Sequence, residues 1–384
     1  MRGAMVDGSE TLSHCCSKKS SNAEKCVIRW FGPKEHLRKW RTALRLSLAP
    51  PCLRYPSYVS IQTIRIGSRG SQLALWQANH IAAELRAHGY TVEIEVIRTM
   101  GDRMQDPAFV APATFADGSP LDAKGIFIKE IEEALAAGRI DLAVHSLKDL
   151  PTELDPRFTL AAIPPRADAR DAFVCENFWG LHTLPLHSSV GTTSPRRKAM
   201  LLALRPDLRF VEMRGNIDTR LRKWEAGEAD ALVLACAGLD RLGRTENVHQ
   251  RFAVDELTPA PGQGALALET RSPHHALDTD DPTRDPAIHE AIRALHCASA
   301  EFATQAERHV LAALGGGCQL PLGAYCHEVD GHWHLHAQVA APDGEEVAHV
   351  IERAPVGISA AELGQRAAAA LEERGALELL QQPA

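Results

Sequence analysis

From Thr63 onward, short apolar segments alternate with amphipathic stretches of helix length, and this alternation most narrows what the chain can become. Ile64-Arg65-Ile66 reads as a strand and Gly67–Gly70 as a turn. Ser71 reads as the N-cap of a helix running to about His88, with Gly89 as its stop. Val92, Ile94 and Val96 alternate as a second strand, followed by a helix over about 125–137 and a strand over 140–144. Past Pro164-Pro165 the spacing predicts a helix from Pro195, a strand over about 208–212, a helix from Asn216 and a strand over 231–235. Strands separated by helices argue for parallel α/β sheets. Residues 103–121 and 272–286 are aperiodic and read as loops, the first of them mobile. A helical region follows over about 287–314. His334, His336 and Gln338 then alternate with Leu335, Ala337 and Val339, as in a strand with one wet face. Ser359 and Glu362 form a capping box opening a helix that stops at Gly375.

A chain of 384 residues is long enough for two or three domains with real cores. Its net charge of -7 argues against a dedicated nucleic-acid or membrane-surface protein. No apolar run approaches the ~20 residues a membrane span needs. Nine cysteines, an odd count without regular spacing, suit a reduced cytosolic compartment. Residues 1–60 stand apart, with eleven Lys/Arg against four Asp/Glu and four of the cysteines. They read as a basic extension outside the fold: an upstream stretch that is not native, an interaction tail, or an organelle-targeting leader.

Three segments could carry chemistry. Arginines recur where strands give way to helices: Arg69 near Ser71, Arg196 and Arg197 after Thr192, Ser194 and Pro195, then Arg214 and Arg220 around Asn216. Free N–H groups, the helix dipole and fixed guanidinium charge make anion sites, and open α/β sheets bind ligands at these ends. The planar fork of arginine suits carboxylates. Lys148-Asp149 follows a predicted strand and can supply an acid/base group or stabilise a cation, although a Lys-Asp pair before proline is ordinarily a surface ion pair. Gly315-Gly316-Gly317-Cys318 places a thiol after a freely turning backbone, where the plain alternative is an inert buried cysteine. No metal-ligand spacing, Walker loop or GxGxxG motif is present, so neither a metal nor a nucleotide site is expected.

Seven segments, in order, closely resemble the porphobilinogen deaminase (hydroxymethylbilane synthase) family. They are Arg65–Ala78, Lys124–Glu130, Ala143–Pro151, Val190–Arg197, Arg214–Arg220, Pro259–Gly264 and Gly316–Gly323. The resemblance covers roughly 63–330 and continues more loosely to the end. It implies an α/β protein of three domains, the first two like type II periplasmic solute-binding domains facing across a cleft, the third a small α/β domain. Expected limits are 61–164 with about 265–296 for the first, 165–264 for the second and 297–384 for the third.

The resemblance also implies a transferase that adds four porphobilinogen molecules to a covalent dipyrromethane primer and releases hydroxymethylbilane, in tetrapyrrole biosynthesis. Cys318 matches the residue carrying that cofactor through a thioether, one per chain, and Asp149 the catalytic aspartate. Arg69, Ser71, Lys148, Thr192, Ser194, Arg196, Arg197, Arg214 and Arg220 match cofactor- and substrate-binding positions, and Asp102 a position near the cofactor. The acetate and propionate arms of each pyrrole account for the recurring arginines. The expected protein is cytoplasmic and monomeric, with porphobilinogen as its partner and neither nucleic acid nor membrane. Residues 103–121 are longer and more polar than the family's loop, Pro261 replaces a small aliphatic residue, and residues 1–60 have no family counterpart. A non-catalytic carboxylate-binding protein of the same architecture would keep the arginines without needing Asp149 or Cys318, and an inactive, regulatory family member would keep them all.

Overall fold

The computed structural model describes residues 63–103, 125–273, 284–316 and 320–382. The basic extension and almost all of the 103–121 segment lie outside them, as does Cys318. The chain begins with β1 (Thr63–Ser68), α1 (Gln72–Ala87), β2 (Thr91–Val96), α2 (Met100–Arg103), α3 (Gly125–Ala136), β3 (Leu142–Ser146) and β4 (Phe158–Ala162). It continues with β5 (Asp171–Val174), β6 (Ser189–Gly191), α4 (Pro195–Leu204), β7 (Arg209–Val211), α5 (Ile217–Glu225), β8 (Ala231–Ala235), α6 (Cys236–Leu242) and β9 (Val248–Arg251). Then come β10 (Leu266–Arg271), α7 (Arg284–Arg293), α8 (Ala298–Ala313), β11 (Leu322–Val329), β12 (His332–Ala340), β13 (Val347–Pro355), α9 (Ala360–Glu372) and α10 (Ala376–Gln381).

These elements form two five-stranded sheets, ordered β2-β1-β3-β10-β4 and β7-β6-β8-β5-β9, and a three-stranded sheet, β11-β12-β13. The sheets expected to be parallel are mixed. β10 runs antiparallel to β3 and β4, and β5 antiparallel to β8 and β9. The cause is connectivity. The chain leaves the first sheet after β4, builds the second, and returns to insert β10 between β3 and β4. Two segments, 163–170 and 252–265, therefore link the sheets.

Local sequence chemistry sets most element ends. Ser71 caps α1 by accepting from Ala74 N, and Gly89 adopts φ 92° beyond its last turn. Ser194, Asn216 and Ser359 cap α4, α5 and α9 in the same way. The Ile64, Ile66, Ile81 and Leu85 side chains are fully buried between β1 and α1, each contributing roughly 1.5–3 kcal/mol.

Five other expectations change. The Gly67-Ser68 step belongs to β1 and not to a turn, because Gly67 pairs with Ala143, and a Cβ there would sit 2.3 Å from Ile140 Cδ1. The strand expected at 140–144 is shifted to 142–146 by the same pairing. The helical region of 287–314 is two helices, broken where Cys297 N donates to Ile163 O at 2.8 Å. The end of the 272–286 loop is already α7, tethered by Arg284 to Asp141 and to Thr63 O. Nor is the polar face of β12 wet: His336 and Gln338 are buried, and Gln338 Oε1 accepts from Thr258 N at 3.4 Å. The C-terminal sheet spends its apolar face on α8 and α9 and lays its polar face against residues linked to the second sheet.

Candidate active site

At the carboxyl end of β3 the chain tightens into a 3-10 turn, Leu147–Asp149. Buried Leu147 anchors it, and Gly262 packs so closely that its Cβ position lies 3.2 Å from Lys148 N. At φ 75° and this distance, glycine is the residue the crossing segment tolerates. Ser146 Oγ accepts from Gln77 Nε2 at 2.9 Å, joining α1 to the same strand end. Lys148 Nζ donates to Gln263 Oε1 at 3.3 Å. Desolvation pushes its pKa down to about 8 even with Asp149 beside it. Asp149 is exposed, and among the described residues no hydrogen bond ties down its carboxylate.

The second sheet supplies the opposing charges. Ser194 accepts from Arg197 N at 3.4 Å and Pro195 takes the first helical position, so α4 begins with Arg196 and Arg197 in its first turn. Both guanidinium groups turn inward, where only 3% and 6% of each residue is exposed. Asp171 on β5, fully buried, receives them both: Arg196 Nη2 at 2.8 Å and Arg197 Nη2 at 2.7 Å. Burial raises that carboxyl, but the two arginines overcome it and hold Asp171 down to about 2. Arg196 Nη1 also donates to Thr258 O at 2.7 Å, while its buried Nε has no hydrogen-bond partner among the described residues. Gln263 Nε2 donates to Asp171 Oδ1 at 3.0 Å, so one side chain bridges Lys148 of the first sheet and the Asp171–arginine cluster of the second.

Arg220 donates from Nε to Gly215 O at 2.9 Å. Desolvation, and then repulsion from Arg197, lowers its pKa to about 10, with Asp149 acting in the opposite sense. Thr192 is buried, with Oγ1 accepting from Ser194 N at 3.2 Å. Arg69 pairs with Asp102 at 2.6 Å, and the Asp102 carboxylate also takes Thr99 Oγ1 at 2.8 Å. Arg214 is the outlier of the expected set: its side chain is 80% exposed and meets Glu212 at 3.2 Å.

The third approach comes from α8. Gly315 and Gly316 turn at φ 103° and 72° just before Cys318, and the Cβ position of Gly316 lies 3.8 Å from Thr152 Oγ1. Arg308 donates to the carbonyls of Leu150, Pro151 and Thr152, the residues directly after Asp149. Its neighbour Glu307, fully buried, accepts from Arg166, from Gly262 N at 2.7 Å and from Cys326 N at 2.8 Å. The helix that leads to Cys318 is thus fastened to both linking segments and to the end of the Lys148–Asp149 turn.

Asp171, Glu307 and Arg308 stand in none of the seven family-like segments, and no local signal marks them. Gln263 lies in the Pro259–Gly264 segment without being singled out. Around Lys148 the chain gathers Arg196 and Arg197 with Asp171, and Arg220 shares the field of Asp149 and Arg197, so four cations meet two carboxylates. Such a site favours anions carrying several carboxylates, while exposed Asp149 can offset a cation forming among them.

Comparison with known proteins agrees with this chemistry. Residues 64–279 match the family model described as "Porphobilinogen deaminase, dipyromethane cofactor binding domain", and residues 302–373 match its C-terminal domain. A porphobilinogen deaminase of Rubrobacter xylanophilus is 46% identical over 315 residues, spanning 82% of this chain and 95% of that protein. One from Nitrobacter hamburgensis is 44% identical over 314 residues, spanning 80% and 92%. Among solved structures, a nutrient-binding protein from Burkholderia cenocepacia bound to methionine aligns at 13% identity and a TM-score of 0.34, over 60% of this chain and 91% of that one. The chain belongs to the porphobilinogen deaminase family.

Proposed function

We propose that the Lys148–Asp149 turn is the catalytic centre of a hydroxymethylbilane synthase acting on porphobilinogen, with dipyrromethane held on Cys318. The observation that carries this reading is the meeting of the Gly315-Gly316 turn with Thr152. It brings the approach to Cys318 within a few residues of the one exposed carboxylate in a cation-rich site. The residues fit the cofactor: four cations suit its acid arms, buried Arg196 Nε has a donor to spare, and the glycine turn leaves room beside Thr152. When bound, dipyrromethane supplies the free pyrrole carbon to which the first substrate unit is joined.

The protein's own part follows from placement. Arg196, Arg197, Lys148 and Arg220 hold carboxylate arms, with Thr192, Ser194, Arg69 and Ser71 lining the same strand ends and Arg69 steadied by Asp102. Porphobilinogen loses ammonia from its aminomethyl carbon, leaving a cation spread over the ring. Asp149 accepts a hydrogen bond from the pyrrole N–H and offsets that charge. A bond then forms between the resulting methylene and a free pyrrole carbon, that pyrrole carbon loses its proton, and the step repeats until four units are added and water releases the product. The exposed Arg214 fits a gathering role rather than a holding one, since fixed surface charge steers anions. We assign the domains as 61–164 with 265–296, 165–264 and 297–384, each internal limit falling between strands of different sheets. A cytoplasmic monomer is the accompanying reading, and no helix among the described residues is long and apolar enough to cross a membrane.

Two variants test this. Intact-mass analysis of Cys318→Ser should find unmodified, inactive protein; a modification that persists would remove Cys318 from its role. Asp149→Asn should load its cofactor and fold normally while kcat falls about 10²–10³-fold, the usual loss for one such stabilising group. Near-unchanged single-turnover chemistry would return Asp149 to the status of a surface ion pair, which is worth at most ~1 kcal/mol.

A further inference from the structure

The polar face of the C-terminal sheet carries a row of imidazoles that the reaction does not use. Strand alternation puts His327 of β11, His334 and His336 of β12, and His349 of β13 on that face. Ring centroids lie 5.6 Å apart for His327–His336, 5.7 Å for His327–His334 and 6.1 Å for His336–His349. His327 Nδ1, His336 Nδ1 and His349 Nε2 are buried, with no hydrogen-bond partner among the described residues. Among those residues no group of three or more such side chains is placed to hold a metal ion.

One end of the row is a seam against the second sheet's domain. Ala324 N donates to Pro259 O at 2.9 Å, and Thr258 N to Gln338 Oε1 at 3.4 Å. Ala340 sits in the core formed around α4, and Gly344 (φ 78°) is pressed against Leu202 and Ala203. Neutral imidazoles pack here without cost in charge; imidazolium ions would lose hydration and repel one another.

We propose that this row is an acid-responsive seam, in which protonation of the stacked histidines releases the C-terminal sheet from the wall formed by residues 252–259 and α4. The groups facing the row are Asp255, which favours charge on His336 and His349, and Arg166, Arg374 and His334, which oppose charge on their neighbours. Burial outweighs Asp255. It lowers His327, His336 and His349 alike, His336 from 6.5 to about 4. With the closed-state pKa below the open-state value, closure is fully supported above about pH 6.5 and is lost progressively down to about 4. At pH 5, His336 alone would raise the opening constant roughly 30-fold. The first sheet shares no strand with this seam and should stay intact.

The test is backbone hydrogen exchange on the full, cofactor-loaded chain between pH 7.5 and 5, corrected for intrinsic rates. Exchange at Ala324 and Thr258 should become roughly 30-fold or more easier at pH 5 and recover on return, while Ile66 in the first sheet should not change. His336→Gln with His349→Gln should flatten the dependence. Opening that ignores pH, or an equal dependence in the double variant, would overturn the proposal. Should that variant fail to fold, ring-proton titration of the unaltered chain decides: a His336 midpoint well below 6.5 supports the seam, and one at or above 6.5 refutes it.

Discussion

Replacing Asp171 with asparagine tests the charge architecture at its least exposed point. Asp171 lies fully buried, with Arg196 and Arg197 at 2.8 and 2.7 Å and Gln263 at 3.0 Å. Asparagine keeps the shape but leaves two buried guanidinium groups without their counter-charge. Removing one partner of a buried pair costs about 3–5 kcal/mol, because the other ion stays desolvated. Here two ions are stranded, so the upper half of that range applies. At about 2–4 °C per kcal/mol for a protein of this kind, the melting temperature should fall by roughly 10 °C or more. Differential scanning calorimetry on matched cofactor-loaded samples measures it. The pH dependence supplies an independent check. The folded pKa of Asp171 is depressed from 3.8 to about 2, so its contribution is complete above about pH 4 and disappears as pH falls through that window. The deficit of Asp171→Asn should therefore be constant from pH 5 to 8 and shrink only near pH 3. A ligand rich in carboxylates should restore part of it by taking the vacated place beside the arginines. A variant within 1 kcal/mol of the parent at pH 7 would show that Asp171 does not compensate these arginines.

Other outcomes follow from single contacts. Lys148, lowered to about 8, should lose its charge as pH rises through that value, so KM for porphobilinogen should climb above pH 8 in the parent but not in Lys148→Arg. Arg197→Lys should weaken porphobilinogen binding by roughly 2–5 kcal/mol, since a point ammonium cannot reproduce the paired bonds; unchanged kinetics would remove it from the site. Gly264→Ala should impair folding by about 1–3 kcal/mol, because φ is 86° and the added Cβ would lie 2.7 Å from Ala167 O. Chemical denaturation checks this, and a neutral result would mean that the linking segment shifts freely.

What the sequence disclosed, and what it withheld, divides by range of interaction. Ser71, Ser194, Asn216 and Ser359 announced helix starts because a cap acts on residues two or three positions away. Arg196 and Arg197 drew an anion-site reading because hydroxyl, proline and arginine are consecutive. Their inward turn was not legible, since it depends on Asp171, 26 residues away, and on Thr258, 62 away. Arg214 looked equivalent to Arg220 yet faces solvent, a difference set by packing of the surrounding elements and not by motif. The mixed sheets were missed because period and length are the same for a strand inserted in either direction; only the return path to β10 decides it. The buried polar face of β12 misled for a related reason. Alternation identifies two faces, but not what the rest of the chain lays over the second.

The charge count at the site constrains the reaction beyond its first step. Each added unit brings an acetate and a propionate arm, while the cations around Asp149 are fixed in number and already share Asp171. On the proposed site, Arg196, Arg197, Lys148 and Arg220 supply at most four positive charges, part of them already taken by Asp171, so the arms of successive units cannot all pair there unless earlier ones move out. The growing chain must therefore slide past a stationary Asp149, or the two sheets must shift about their links. The structure limits the second option. Glu307 binds Arg166 in one linking segment and Gly262 in the other, and Gln263 ties Lys148 to Asp171 across both sheets. A large rotation would break a buried carboxylate's bonds at every cycle, at a cost of several kcal/mol. Sliding breaks only ligand contacts, which new arms of the same chemistry replace. Movement of product through a nearly fixed site is thus the cheaper route, and weakening Glu307 should change stability more than the number of units added.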